Sequence, residues 1–307
     1  MIVDLSKMKT LMFRWAIGSR STMSMRSFSA EGFVRFLCMA KTSILSFQRY
    51  FPKAKFFVFY NGANKLDYFH EVFNAASPSL LCPVTIIDAY DYTNPYPFKP
   101  DPGVWWKWRP FRFDLERTEI YVDTDVICLN EPTSLGTELN GNLGIAVIPD
   151  RCTYFSEDVC GNLWQDPILQ NRIPVNCGFA VFKPDVTIEH EFYNASWNVQ
   201  YGKSEHSYFL DEQGCFNIGL YKSNIPFALL SRANNIYAPE LRDRLAKGVS
   251  VELCHFIADS KDLFYQLESY IFRKIYDQNY TQDDFFRSVR EILDNYRYSG
   301  QSYGTST

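Results

Sequence analysis

The sequence predicts an α/β protein: a mixed, mostly parallel sheet flanked by helices, in a single domain with a C-terminal helical extension. Three observations predict it. Apolar strand-like runs alternate with helical spacings through the first half of the chain, the order that builds parallel sheets covered on both faces. Composition does not break along the 307 residues, and 46% hydrophobic with 21% charged residues is ordinary for a globular protein. Two acids, Asp123 and Asp125, interrupt the apolar run IYVDTDVICL (120–129). In such sheets ligands bind at the carboxyl ends of strands.

The elements follow in order. TLMFRWAI (10–17) reads as a strand, and EGFVRFLCMAKTSILSFQRYF (31–51) carries a helical apolar spacing that stops at Pro52. KFFVFY (55–60) is a short strand closed by Asn61-Gly62, a helix covers roughly 65–75, and VTIIDAY (84–90) is a third strand. A loop rich in Pro and Tyr (92–103) leads to VWWKWRPFRFDL, a short helix interrupted near Pro110, and then to the acid-bearing strand. LGIAVIPD (143–150) and CGFAVFKPD (177–185) read as strands around a loop, with a helix near 189–201. The last third is less regular until TQDDFFRSVREILDNY (281–296). There Thr281 and Asp284 are spaced as a capping box, and Phe285, Val289, Ile292 and Tyr296 share one face. The domain is expected over 8–265, the helical extension over 266–298 and a disordered tail over 299–307.

Bulk properties exclude several roles. A net charge of −4 without a long Lys/Arg run argues against a nucleic-acid binder held by phosphate contacts. No stretch approaches the ~20 apolar residues of a membrane span. The N-terminal apolar segment is broken by Arg14 and too short for a signal peptide. The eight cysteines (Cys38, Cys82, Cys128, Cys152, Cys160, Cys177, Cys215, Cys254) are scattered and form no Cys-x-x-Cys pair, which suits free thiols in a reducing compartment. A cytoplasmic location is expected, or a domain from a longer anchored parent, where the sequons at Asn194 and Asn279 would matter.

On one continuous strand Asp123 and Asp125 would point to the same face. At about 5 Å and an effective dielectric near 20 they would repel by about 3 kcal/mol. A divalent cation shared with a diphosphate would relieve that cost, since Mg²⁺ and Mn²⁺ favour hard oxygen ligands. The bland alternative is a capping or solvated acid at a strand end.

Four motifs in order carry a resemblance. EIYVDTDVICLNEP, with Asp123 and Asp125, resembles the strand-borne Asp-x-Asp of the metal-dependent, GT-A-fold nucleotide-sugar glycosyltransferases. The closest likeness within them is to the glycogenin-like and galactosyltransferase-like group called family 8. VNCGFAVFKP (175–184) is similar to its Asn-Ser-Gly strand, with Asn176 and Gly178 matching and Cys177 in place of serine. EQGCFN (212–217) is similar to its Asp-Gln-Asp-x-x-Asn segment, with Gln213 and Asn217 matching, Glu212 and Gly214 replacing the acids, and Asp211 one place earlier. HFIADSK (255–261) resembles its His-x-x-Gly-x-x-Lys-Pro-Trp, with His255 and Lys261 at the family spacing. Ala258, Asp262 and Leu263 depart from it.

The resemblance spans about residues 10–265 and implies a Rossmann-like GT-A domain. It implies a hexosyltransferase that moves a sugar from a nucleoside-diphosphate donor, UDP-linked, to a hydroxyl of a glycan, glycolipid or protein acceptor with retention of configuration. It further implies Mn²⁺ or Mg²⁺ on Asp123, Asp125 and His255, and donor contacts from Lys107, Asp123, Asp125, Asn176, Gly178 and Lys261. Asp211, Glu212 and Gln213 would lie near the anomeric carbon or the acceptor hydroxyl. Trp105, Trp106 and Trp108 are read as core. Two other readings are a haloacid-dehalogenase-like phosphatase, which also uses a strand-ending Asp-x-Asp, and a non-catalytic sugar-nucleotide-binding protein.

Overall fold

A computed structural model describes residues 11–18, 30–62, 65–89, 107–197, 199, 205–257, 260–277 and 279–296. The loop over 92–103, Trp105, Trp106, Ala258 and the tail over 299–307 lie outside the described residues.

The alternation read from the sequence is present. Strand β1 (Leu11–Ile17) leads to helix α1 (Ala30–Tyr50), β2 (Lys55–Tyr60), α2 (Leu66–Ala75) and β3 (Thr85–Asp88). Then come β4 (Thr118–Val122), β5 (Val126–Cys128), α3 (Thr133–Asn140), β6 (Ile145–Pro149), α4 (Glu157–Cys160) and β7 (Val175–Phe182). The remainder is α5 (Glu189–Ser196), α6 (Glu205–Lys222), β8 (Phe227–Leu229), β9 (Asn235–Tyr237), α7 (Leu241–Ala246), β10 (Leu253–His255), α8 (Lys261–Tyr276) and α9 (Gln282–Asn295). The last third is thus more regular than its sequence pattern indicates. Helix α6 escapes a periodicity reading because it buries Asp211, Glu212 and Asn217 together with apolar residues.

Seven strands form one sheet in the order β3-β2-β1-β4-β7-β6-β8, and three form another in the order β5-β10-β9. In the large sheet β7 is antiparallel to β4 and β6, and the remaining pairings are parallel. The carboxyl ends of β4 and β6 therefore meet the amino end of β7 along one edge. Strand alternation divides the core between the sheet's faces. Phe13, Trp15, Ile17, Ile120, Val122, Phe179 and Val181 pack with residues of α1 and α2 on one face. Tyr121, Cys177, Ala180 and Phe182 pack with residues of α5 and α6 on the other. A third cluster joins the small sheet to α7, α8 and α9.

Helix α1 stays helical through its β-branched and polar positions because Leu37, Ala40, Ile44 and Phe47 recur on the face toward the sheet. At α9 the capping box forms as expected, with Thr281 and Asp284 bonding each other's backbone N–H. Phe285, Val289 and Leu293 are its buried residues. The boundary expected at 265 falls inside α8, whose Leu263, Phe264, Leu267 and Ile271 are all buried.

One expectation is corrected. The run 120–129 is not one strand: β4 ends at Val122, a turn holds Asp123 to Asp125, and β5 belongs to the other sheet. The two acids converge through a turn between sheets and not through strand alternation. Asp123 N–H donates to Gly178 O at 2.7 Å, and Phe256 N–H donates to Asp125 O at 2.8 Å, so each sheet holds one of the acids by its backbone.

Candidate functional site

Asp123, Asp125 and His255 each offer one ligand atom within a group whose atoms all lie within 4.8 Å of one another. Their elements explain the convergence. Asp123 follows the carboxyl end of β4, Asp125 immediately precedes β5, and His255 ends β10, which pairs antiparallel with β5 so that His255 sits opposite Val126. His255 Nε2 lies 3.0 Å from Asp125 Oδ1, and Lys261 Nζ lies 3.1 Å from Asp125 Oδ2. Lys261 is the first residue of α8, where the helix dipole disfavours a cation, so the Asp125 contact is what favours its placement.

The repulsion between the acids is already relieved by the protein. Lys107 Nζ reaches Asp123 Oδ1 at 3.3 Å and Glu212 Oε1 at 2.9 Å, and the Tyr121 hydroxyl donates to Asp123. Burial alone would raise the Asp125 carboxyl, but the Lys261 ammonium and His255 outweigh it and hold the group well below the usual carboxylate range. Burial likewise opposes the charge on Lys107, and Asp123, Cys177 and Glu212 overcome it and raise its pKa. The sequence reading assigned this relief to a metal ion; Lys107, Lys261 and His255 provide it. Two oxygen donors and an imidazole in this arrangement still fit a hard divalent cation, and the cations around them would have to yield part of the acids' charge to it.

Gly178 forms the floor. A Cβ there would lie 2.7 Å from His255 Cε1, 2.8 Å from Asn176 Oδ1 and 2.8 Å from Asp123 Oδ2. The glycine is required by the space these side chains occupy. Asn176 accepts from Gly178 N–H at 2.8 Å and donates to Gln213 Oε1 at 3.0 Å; Gln213 donates to Asp150 Oδ2 at 3.1 Å and to Val159 O at 3.0 Å. This chain extends the polar edge from the acids toward the β6 end.

The segment LDEQGCFN lies inside the 18-residue helix α6, and neither in a loop nor at a helix start as its polarity suggests. Successive residues on a helix face different neighbours. Glu212, 3% exposed, accepts from Trp108 Nε1 at 2.6 Å and pairs with Lys107; burial raises its pKa, partly offset by Lys107. Gln213 faces Asn176. Asp211 instead accepts from Asn162 N–H at 2.6 Å and from Asn162 Nδ2 at 3.2 Å, away from this cluster. Asn217 ties α6 to β7 through Val175, accepting its N–H at 2.9 Å and donating to its carbonyl at 2.9 Å. Gly214 replaces an acid where a Cβ would stand 2.7 Å from the Cys160 carbonyl.

Trp108 is fully buried and stacks on Phe111 and Phe216, as a core reading requires, yet its indole N–H also fixes Glu212. Tyr121 and Asp150 were missed by sequence reading. Tyr121 had a signal: it lies near the end of β4, two residues before Asp123 in the turn that follows. Asp150 had a weaker one, an acid directly after an apolar strand.

No family model and no curated protein matches the sequence. Solved structures do. The bifunctional glycosyltransferase WbbM matches with a TM-score of 0.57 at 13% identity, covering 91% of this chain and 51% of that one. The glycosyltransferase GlyE of Streptococcus pneumoniae matches with a TM-score of 0.50 at 12% identity, covering 94% and 65%. The chain spans about half the length of WbbM. The likeness is one of fold: this chain shares the GT-A-type architecture of these two structures, with the Asp-x-Asp turn at the carboxyl edge of its sheet.

Proposed function

We propose that the chain is a glycosyltransferase that moves a hexosyl group from a UDP-sugar to a hydroxyl of a glycan, glycolipid or protein acceptor, with retention of configuration. The observation that carries this reading is the convergence of Asp123, Asp125 and His255, with Lys261 beside them, at the carboxyl edge of a GT-A sheet. Asp123, Asp125 and His255 would hold Mn²⁺ or Mg²⁺, which when bound neutralises charge on the leaving diphosphate.

The protein's own groups supply the remainder. Lys261 is 43% exposed on the solvent side of Asp125, free to turn toward diphosphate oxygens as their charge grows. Lys107, between Asp123 and Glu212, stabilises negative charge on the donor side. Asn176 and Gly178 shape the floor under the donor. Glu212 and Gln213 face the sugar, and Asp211 supports the neighbouring loop. These interactions accelerate transfer to the extent that they strengthen as the glycosidic bond to the diphosphate lengthens. All eight cysteines are free, which supports a reducing, cytoplasmic setting, and no described helix is long and apolar enough to cross a membrane. The phosphatase alternative has no support in the GT-A architecture.

The test is a panel of nucleotide sugars with Mn²⁺, read by thermal shift and by metal-dependent hydrolysis. A UDP-sugar is expected to stabilise the wild type, and Asp125→Asn to abolish turnover and weaken nucleotide binding while remaining folded. Wild-type turnover by Asp125→Asn in Mn²⁺ would sink the reading.

A further inference from the structure

His255 is held by more than its bond to Asp125. Strand β10 pairs in parallel with β9, and the register sets His255 directly beside Tyr237. Paired positions on neighbouring strands present their side chains on one face within contact distance. The rings accordingly stack, with centroids 5.5 Å apart and planes 24° from parallel. The Arg232 guanidinium covers the Tyr237 ring at 4.8 Å, and Arg232 is tied down in turn by Glu240 and by Pro149 O at 3.4 Å. Gly178 bounds the imidazole elsewhere, near Cε1. Arg232, Tyr237 and His255 form a stacked column that ends on a candidate metal ligand.

Tyr237 is 2% exposed, and its hydroxyl is buried with no hydrogen-bond partner among the described residues. A buried hydroxyl left unpaired costs stability and gains nothing in return. Its ring, and not its hydroxyl, is therefore what the site uses. We propose that Tyr237, backed by Arg232, is a positioning residue that fixes the His255 imidazole for binding a divalent cation. The inference rests on the metal reading of Asp123, Asp125 and His255. A ring free to rotate about its side-chain bonds loses the orientation a metal requires; hydrogen-bonded partners that orient a ligating histidine commonly contribute about 10–100-fold to metal affinity, and a stacked ring fixing the same orientation is expected to act at the low end of that range.

The experiment titrates the full chain with Mn²⁺ alone, by calorimetry and by the electron paramagnetic resonance signal of free Mn²⁺. Wild type, Tyr237→Phe, Tyr237→Leu, Tyr237→Met and Asp125→Asn are compared, each checked for folding by thermal melt. Tyr237→Phe keeps the ring and is expected to bind Mn²⁺ as wild type does, with an unchanged or higher Tm. Tyr237→Leu and Tyr237→Met remove the ring and are expected to weaken Mn²⁺ binding about tenfold. Met fills much of the tyrosine volume, so it carries the comparison if Leu fails to fold. Pulsed resonance on the Mn²⁺ complex should show histidine nitrogen coupling in wild type and Tyr237→Phe, and a reduced coupling in the ringless variants.

Wild-type affinity and nitrogen coupling in a folded ringless variant would overturn the proposal while Asp125→Asn still loses the metal. Weakened binding in Tyr237→Phe would also overturn it, by assigning the role to the hydroxyl. Equal Mn²⁺ binding by wild type and Asp125→Asn, or none by wild type, would remove the metal reading and the proposal together.

Discussion

Replacing Gly178 by alanine inserts a methyl group where three site residues already meet. The added Cβ would stand 2.7–2.8 Å from His255 Cε1, Asn176 Oδ1 and Asp123 Oδ2. Ordinary contacts of this kind begin near 3.4 Å, so the neighbours must retreat by about 0.6–0.7 Å, more than the roughly 0.5 Å within which a binding constellation keeps its function. Two of the three atoms belong to candidate metal ligands. Asn176 cannot yield independently either, because it is bonded to Gly178 N–H and to Gln213. Overpacking of this kind costs about 1–3 kcal/mol, which for a chain of this length lowers Tm by roughly 2–5 °C and leaves the protein folded at room temperature. Displacing aligned groups by up to about 1 Å lowers turnover by about 10²-fold. The assay is Mn²⁺ titration and metal-dependent turnover of the nucleotide sugar that binds wild type, with Tm measured on the same samples. Wild-type Mn²⁺ affinity and turnover in a folded Gly178→Ala protein would refute the reasoning, because the methyl cannot be accommodated without moving Asp123, Asn176 or His255.

Lys261→Ala is expected to lower kcat by about 10²-fold, or about 2.7 kcal/mol, and also to lower Tm, since it takes the ammonium partner from the buried Asp125 carboxylate; an unchanged kcat in the folded variant refutes its role on the diphosphate. Gln213→Ala should lower kcat and kcat/KM together, as expected for a contact made in the transition state, whereas Asp211→Ala should lower Tm and leave kcat unchanged because its partner is Asn162. The reverse pattern would exchange their roles. The folded state lowers the Asp125 pKa, so the stability it contributes is present above the unfolded value of about 4 and is lost as pH falls through the folded value. The Tm difference between wild type and Asp125→Asn is therefore full near neutrality and shrinks as pH drops below about 4; a difference constant from pH 6 to pH 3 would assign it to something other than the ion pairs.

The order of strands and helices through Asp88 was legible in the sequence because the strands are short, nearly continuous apolar runs, as strands buried on both faces are, whereas the helices carry a 3.6-residue apolar spacing. The Thr281–Asp284 capping box was legible because it depends on residues a few positions apart. The distant partners were suggested by resemblance to a family and not by the pattern itself. Only the tertiary structure decided that the run 120–129 divides between two sheets, since a β-branched stretch looks the same whichever sheet its halves join. It alone separated Asp211 from Glu212, because adjacent positions inside α6 point in different directions once the helix is docked. It also decided what neutralises the acids. Trp108 and Glu212 are 104 residues apart, and His255 and Asp125 are 130 apart. Local periodicity carries no information about which distant cation reaches a buried carboxylate; that follows from the packing of the sheets and helices that carry them.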